Sequence, residues 1–264
     1  MIEVVTSMCI RIFAGLFFLF QCSIAAAEVT KITVAIDHAP PYSYSEDVSS
    51  PRGLILDILR PIGAELGIDI KVVTCPFSRC VHMLEQGEVD VMGGLIRTPQ
   101  REQNLTFVTP AYMALHSSFR FYSLRANDIQ IQEYEDLYGK RIAVMRGAAH
   151  FLKFDKDPAI NKVPVTSERL AVEMLLKHRV DLFIGVEETA DHAMSVLRQP
   201  AEQLYKQPYH YEDSIYGHMA FSALFAQTAV AAQIIARYRA MAFAGELTQI
   251  VAPYALPAVP SYAQ

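Results

Sequence analysis

The sequence lacks most of the features by which a protein's function is recognised. Its four cysteines are too few for a scaffold built from disulfide bonds. Its 28 acidic residues outnumber its 23 basic ones, and the formal net charge of −5 provides no basic surface for nucleic acid or for an anionic membrane. Only 19% of the residues are charged and 52% are hydrophobic, which excludes an intrinsically disordered chain. These absences leave a globular protein for which we expect no nucleic-acid partner.

Motifs of common catalytic and metal sites are missing as well. The sequence contains no Gly-x-Ser-x-Gly nucleophile elbow, no glycine-rich phosphate loop and no His-Glu-x-x-His zinc motif. Its eight histidines are scattered along the chain. We therefore expect neither an enzyme nor a bound metal or organic cofactor.

The N-terminus has the pattern of a secretory signal peptide. Arg11 precedes a nine-residue apolar run at positions 12–20, and three alanines at positions 25–27 precede the polar Glu28. The run is well short of the about 20 residues that span a bilayer, and the alternatives to a signal peptide are an uncleaved anchor or a buried core helix. The pattern predicts that residues 1–27 are a cleaved signal and that the protein is periplasmic. The mature chain would keep the net charge of −5, because the signal contains one acidic and one basic residue.

The remaining chain alternates between the periodicities of strands and helices. Residues 31–36 alternate as a first strand, and Leu54, Ile58, Ile62 and Leu66 recur every four residues on one helix face. Further elements are a helix capped by Ser78, strands over 68–72, 89–95, 141–145 and 180–184, a helix capped by Ser167, and helices over 189–197 and 230–241. This alternation is typical of α/β folds with parallel sheets, which bind ligands at the carboxyl ends of their strands.

Several short segments occur in a recognisable order and spacing. They are PPY at 40–42, GLILD at 53–57, QGEVDV at 86–91, TPQR at 98–101, FVTPAY at 107–112, GKRIAV at 139–144, RG at 146–147 and HRVD at 178–181. Together they resemble the bacterial extracellular solute-binding proteins of family 3, the periplasmic components of polar amino-acid transporters. The resemblance covers about residues 30–250.

The resemblance implies a two-lobed α/β fold of the type II periplasmic-binding-protein kind. Lobe 1 would comprise residues 28–117 and 215–264, and lobe 2 would comprise residues 118–214. Two crossovers would join the lobes, and the ligand cleft would lie between them.

The same resemblance assigns binding roles to residues of lobe 1. Arg101 matches the arginine that grips the ligand's α-carboxylate, for which a guanidinium offers a planar fork of donors. Gly94 and Ile96 fall where the family offers backbone donors and acceptors beside that arginine. Arg97 is a further cation, either a second charge contact or a solvated side chain. Tyr42 and Phe77 match the aromatic walls that sandwich the solute, and ordinary core packing is the alternative for both.

Lobe 2 departs from the pattern of amino-acid binders. Ala148 and Ala149 stand where the family usually has a hydroxyl pair, so that backbone N–H groups at a helix start would have to hold the anion. Val186 stands where an aspartate for the α-ammonium is expected. Glu187 is the candidate to contact a cationic or hydroxyl group in its place, unless the solute has no ammonium.

Cys75 and Cys80 are the cysteines that remain after removal of the signal. Export to an oxidising compartment favours a disulfide between them. A metal site with His82 is the alternative, but it lacks a fourth ligand and the usual Cys-x2-Cys spacing.

These observations predict a monomeric periplasmic receptor that closes on a small, carboxylate-bearing, amino-acid-like solute. Its partners would be the solute and the membrane permease subunits of an ABC transporter. One alternative is a ligand-sensing partner of a membrane receptor. Another is a dehydratase-like enzyme on the same fold, with Glu187 or Glu188 as general acid.

Overall fold

The computed structural model of the protein describes residues 31–115, 118–254 and 256. The predicted signal peptide, residues 1–27, lies outside the described residues. In the part of the chain that is described, no helix combines the length and the apolar character needed to cross a bilayer.

Strands and helices alternate through most of the described chain. The strands are β1 (Lys31–Ile36), β2 (Ser43–Tyr44), β3 (Arg52–Gly53), β4 (Asp69–Thr74), β5 (Val91–Leu95), β6 (Leu105–Phe107), β7 (Met113–Ala114), β8 (Arg120–Leu124), β9 (Arg141–Met145), β10 (Asn161–Val165), β11 (Leu182–Gly185), β12 (Leu204–His210) and β13 (Tyr216–Ser222). The α-helices are α1 (Leu54–Leu66), α2 (Phe77–Glu85), α3 (Leu152–Lys156), α4 (Glu168–Leu176), α5 (Glu187–Val196), α6 (Ala229–Phe243) and α7 (Glu246–Val251).

The first sheet combines strands from the early and the late parts of the chain. Its order is β4-β1-β5-β13-β6, and β7 pairs with β13. Strand β1 runs parallel to β4 and β5, whereas β13 runs antiparallel to β5, β6 and β7. Val34, Ala35 and Ile36 of β1 are all buried, as expected of a parallel strand that is covered on both faces.

The second sheet is formed by one continuous stretch of chain. Its order is β10-β9-β11-β8-β12, with β9 parallel to β10 and β11 and with β8 antiparallel to β11 and β12. The rings of Tyr122 on β8 and Phe183 on β11 stack at 4.7 Å in its core. Sheet membership changes between β7 and β8 and changes back between β12 and β13, which supports the lobe boundaries; these boundaries stay a prediction.

The expectation of parallel sheets is wrong in one respect, because both sheets are mixed. The apolar periodicity of a buried strand is the same in both directions, so the sequence did not reveal that β8 and β13 run antiparallel to their neighbours.

Apolar spacing located the helices well. Helix α1 spans the predicted residues, buries Leu54, Ile58 and Ile62, and ends at Gly67, whose φ of 69° is left-handed. The predicted cap of α4 is confirmed, since Ser167 Oγ accepts the Leu170 N–H at 3.2 Å.

The predicted cap of the second helix is wrong. Helix α2 begins at Phe77, one residue before Ser78, and Pro76 occupies the cap position without a side-chain hydrogen bond. The Pro76 carbonyl accepts the N–H groups of Arg79 and Cys80 at 2.8 and 3.0 Å. The backbone at Pro76 therefore starts the helix without help from a serine.

The predicted disulfide is present between Cys75 and Cys80. It links the residue before Pro76 to the buried Cys80 of α2, and so encloses the first turn of that helix. Phe77 stands inside the closed loop. The bond therefore restrains the backbone that presents Phe77.

We expect the double substitution Cys75→Ala and Cys80→Ala to lower the free energy of unfolding by about 2 kcal/mol, the effect of closing a short loop. Urea unfolding of the oxidised wild type and of the double variant measures this difference. Wild-type protein reduced with dithiothreitol is the matched control and should unfold together with the variant. Equal midpoints for oxidised and reduced wild type would contradict a stabilising role.

Candidate functional site

A cavity of about 170 Å³ lies where strand ends of the two sheets meet. Ile36 at the end of β1 and Gly93 in β5 line it from the first sheet. Met145 at the end of β9 and Gly185 at the end of β11 line it from the second. Ile36, Met145 and Gly185 stand at the carboxyl ends of their strands, where α/β folds bind their ligands. The topology thus produces a candidate binding cavity between the sheets.

Arg101 is a buried cation in the wall of this cavity, with an exposed fraction of 7%. Its Nη1 donates to the Ile96 carbonyl at 2.8 Å, and its Nη2 donates to the Gly147 carbonyl at 2.9 Å. Its guanidinium carbon lies 5.9 Å from the centre of the Phe77 ring. Burial lowers the pKa of Arg101, but a guanidinium stays protonated in proteins. The side chain therefore brings a fixed positive charge to the cavity and bridges the two sheets.

The Thr98-x-x-Arg101 spacing has a local structural cause. Arg101 begins a turn of 3-10 helix, and Thr98 Oγ1 accepts its backbone N–H at 3.2 Å. Unlike Arg101, Arg97 does not direct its guanidinium into the cavity. Its Nε donates to Glu102 Oε1 at 2.6 Å, and the two side chains form a half-exposed ion pair. Arg97 does not line the cavity, which favours the solvated alternative for this side chain.

Tyr42 and Phe77 both line the cavity. The Tyr42 hydroxyl is buried and forms no hydrogen bond with any residue that the structure describes. Burial raises the pKa of Tyr42, so the hydroxyl keeps its proton at neutral pH and is a donor without a protein acceptor. Tyr42 and Phe77 thus each bring an aromatic ring to the cavity, and Tyr42 also brings an unused phenolic donor.

The main chain at Gly93 and Gly94 forms a tightly packed part of the cavity wall. A Cβ on Gly93 would lie 2.5 Å from the Tyr112 hydroxyl oxygen and 2.6 Å from Ile55 Cβ. Both distances are steric clashes, so the position requires glycine. Gly94 has a left-handed φ of 72°, which also favours glycine. Gly94 and Ile96 both line the cavity, where the sequence predicted backbone contacts.

Ala148 and Ala149 line the cavity from the loop after β9. The Ala148 N–H already donates to the Met145 carbonyl at 3.1 Å, and the His150 N–H donates to Asp155 Oδ2 at 2.9 Å. The next helix, α3, begins at Leu152. Of the amides predicted to hold an anion, Ala149 remains the candidate donor.

Glu187 is not brought to the cavity. Its carboxylate pairs with Lys206 on β12, and it lines a separate acidic recess on the surface with Glu188 and Asp191. The ion pair with Lys206 directs Glu187 toward β12, and of residues 186–189 only Val186 and Thr189 line the cavity.

Sequence reasoning missed two acidic side chains that line the cavity, Asp37 and Glu168. Asp37 directly follows β1, and Glu168 is the first residue of α4, directly after the Ser167 cap. Burial raises the pKa of Asp37 to about 6 and that of Glu168 to about 7. Their position just beyond strand ends was the available signal, since that is where ligand-binding side chains collect in α/β folds.

Comparisons with known proteins agree with this architecture. The sequence profile of the bacterial extracellular solute-binding proteins, family 3, matches residues 32–255. The amino-acid-binding protein AabA of Dichelobacter nodosus is 28% identical over 176 residues, which are 62% of this chain and 68% of that protein. The membrane-bound lytic murein transglycosylase F of Ectopseudomonas mendocina is 28% identical over 115 residues, 42% of this chain but only 22% of that enzyme.

Solved structures share the fold. A variant of ArgBP from T. maritima superimposes with a TM-score of 0.69 and 20% identity, covering 84% of this chain and 93% of that one. A histidine kinase sensor domain with similarity to periplasmic binding proteins reaches a TM-score of 0.71 at 18% identity, covering 84% and 95%. These likenesses confirm the type II periplasmic-binding-protein fold. With the profile match over residues 32–255, they show that the chain belongs to the bacterial extracellular solute-binding proteins, family 3.

Proposed function

We propose that the protein is a periplasmic receptor that closes on a small, amino-acid-like solute bearing a carboxylate and delivers it to the permease subunits of an ABC transporter. The observation that carries this proposal is Arg101, a buried guanidinium that lines a cavity between two sheets and bonds to backbone on both sides of it. A guanidinium pairs with a carboxylate through two parallel hydrogen bonds, which fix the orientation of the ligand as well as its charge.

The positions of the polar groups around the cavity support closure about a hinge. Arg101, Tyr42 and Gly94 belong to the part of the chain that forms the first sheet, whereas Ala149 follows β9 of the second. A solute held by both sets stabilises the closed arrangement over the open one, because only the closed arrangement makes both sets of contacts. Closure would then present a surface that the permease recognises.

A thermal-shift screen tests the receptor proposal. The panel consists of the common amino acids, dicarboxylates, polyamines and opines. We expect at least one carboxylate-bearing amino acid to raise the melting temperature, by an amount that grows with its concentration, because a ligand that binds only the folded state stabilises it.

Recovery of the unchanged compound separates a receptor from an enzyme. We expect the stabilising compound to be recovered intact after prolonged incubation. Conversion of that compound into a product would replace the receptor proposal by an enzymatic one. The absence of a shift with every carboxylate in the panel would refute the proposed ligand class.

A further inference from the structure

His150 is a nearly buried imidazole in the wall of the cavity. It belongs to the loop between β9 and α3, and its side chain has an exposed fraction of 5%. The centre of its ring lies 5.1 Å from that of Phe119 and 5.5 Å from that of Phe154, and both phenyl rings are buried. These contacts order the imidazole before any solute enters.

Asp155 determines which nitrogen of the ring carries a proton. Its Oδ2 accepts the His150 backbone N–H at 2.9 Å, and its Oδ1 lies 3.1 Å from His150 Nδ1. Burial acts to raise the pKa of Asp155, but the hydrogen bonds from His150 lower it, so the carboxylate is ionised at neutral pH and can only accept. Nδ1 therefore carries a proton in the neutral and in the charged ring, and the second proton is gained or lost at Nε2.

The other ring nitrogen, Nε2, is left for a solute. Within residues 31–115, 118–254 and 256, no group forms a hydrogen bond with it. The neutral ring offers a lone pair at Nε2, whereas the imidazolium offers an N–H donor. A carboxylate at this position therefore selects the charged ring, because the neutral one would turn a lone pair toward it.

Arg101 is anchored to the same loop. Its Nη2 donates to the carbonyl of Gly147, three residues before His150, and its guanidinium interacts electrostatically with Asp155. The two residues between Gly147 and His150 are alanines, which have no hydroxyl to offer. His150 is therefore the polar side chain that this loop brings to the cavity wall, at the end where Arg101 is bound.

We propose that His150 binds the carboxylate of the solute together with Arg101, and that binding takes up a proton from the solvent at His150 Nε2. This inference rests on the proposed receptor function and adds that capture of the solute is linked to pH. In the complex the imidazolium lies between two carboxylates, that of Asp155 at Nδ1 and that of the solute at Nε2. The contribution of His150 to affinity is then full at low pH and is lost as the pH rises and the ring gives up its proton.

Other titratable and charged groups surround this part of the cavity. They are Asp155, Arg101, Lys162, Tyr42, Tyr112, Asp37 and Glu168. Arginine, lysine and tyrosine keep their protons between about pH 5 and about pH 8. Burial raises the pKa of Asp37 to about 6 and that of Glu168 to about 7, so both have lost most of their protons at about pH 8. Proton uptake at about pH 8 therefore reports on His150.

Calorimetry at about pH 8, in two buffers of different ionisation enthalpy, measures the proton uptake. The probes are L-arginine, L-glutamine and L-leucine, which share the α-carboxylate, and any further amino acid of the solute panel that raises the melting temperature. We expect uptake of roughly a third of a proton or more per solute bound. His150→Gln, whose amide does not titrate, should reduce this uptake to near zero. His210→Gln is the matched control and should leave it unchanged, because His210 lies on β12 outside the cavity.

The ratio of the affinities of wild type and His150→Gln provides a second readout. We expect the wild type to bind at least about tenfold more tightly at about pH 5.5, and the two proteins to bind about equally at about pH 8.5. Asp155 acts on the solute through His150 and is a positioning residue. Asp155→Asn should lower the proton uptake and flatten the pH dependence, whereas a merely structural loss would weaken binding equally at both pH values.

The outcomes separate this inference from the receptor proposal. Binding of a probe with the same proton uptake in wild type and His150→Gln, or an affinity ratio that is the same at both pH values, overturns the inference but leaves a carboxylate receptor in place. If His150→Gln does not fold, proton uptake that is unchanged in Asp155→Asn overturns it as well. Failure of every amino acid of the panel to bind overturns both.

Discussion

We expect the replacement of Arg101 by alanine to weaken solute binding by roughly 30-fold or more, a loss of at least about 2 kcal/mol. The guanidinium is buried, lines the cavity and is already oriented by the Ile96 and Gly147 carbonyls. The Arg101 side chain is therefore already ordered before a carboxylate enters the cavity, so binding costs little additional side-chain entropy. Isothermal titration with the best amino acid from the solute panel measures the loss.

Two companion variants make this result interpretable. Arg97→Ala removes an arginine of the same segment whose partner is Glu102 outside the cavity, and we expect its affinity to match the wild type. Arg101→Lys keeps the charge but not the planar fork, so we expect it to recover only part of the lost affinity. Arg101→Ala with wild-type affinity, while folded by circular dichroism, would remove the carboxylate role from this residue.

The largest effect on stability is expected at Gln207 in the second sheet. This side chain is fully buried, and it donates to Ser123 Oγ at 2.7 Å and to the Ile129 carbonyl at 2.9 Å. Its Oε1 accepts the Ile131 N–H at 2.7 Å. It therefore pairs the backbone of a loop that packs against β12 and that would otherwise be buried without partners.

Gln207→Met keeps the length of the side chain but leaves the Ile129 carbonyl and the Ile131 N–H unpaired. Since an unsatisfied buried group costs about 1–3 kcal/mol, we expect the free energy of unfolding to fall by about 2–4 kcal/mol. Urea unfolding measures this change. Gln203→Met is the matched control, because the Gln203 side chain is exposed and donates to Gln199 Oε1 at 3.3 Å. Equal losses for the two variants would show that the buried network contributes nothing.

The sequence predicted some features of the site because they depend on local chemistry. The Thr98 hydroxyl accepts the N–H of Arg101, three residues along the chain, whereas the resemblance to family 3 is what singled out Tyr42 and Phe77. A contact between residues three positions apart depends on the local sequence, so a short motif is enough to predict it.

Which acidic side chains line the cavity depends on tertiary structure, and the sequence did not indicate it. Glu187 and Glu168 are both the first residue of a helix that follows a strand of the second sheet. Glu168 faces the cavity, whereas Glu187 faces Lys206 on β12. Whether such a glutamate lies at the cavity or on the surface depends on the order of the strands in the sheet. That order cannot be predicted from a single sequence.

The position of β13 has a consequence for how the chain acquires its structure. This strand lies between β5 and β6, so the middle of the first sheet is filled by residues 216–222, whereas the second sheet needs only residues 120–210. Chain synthesis delivers the N-terminal part first, and contacts between residues far apart in sequence form slowly. We therefore expect the second sheet to assemble before the first is closed, and a chain truncated before residue 216 to keep the strands of the second sheet but to lack the cavity.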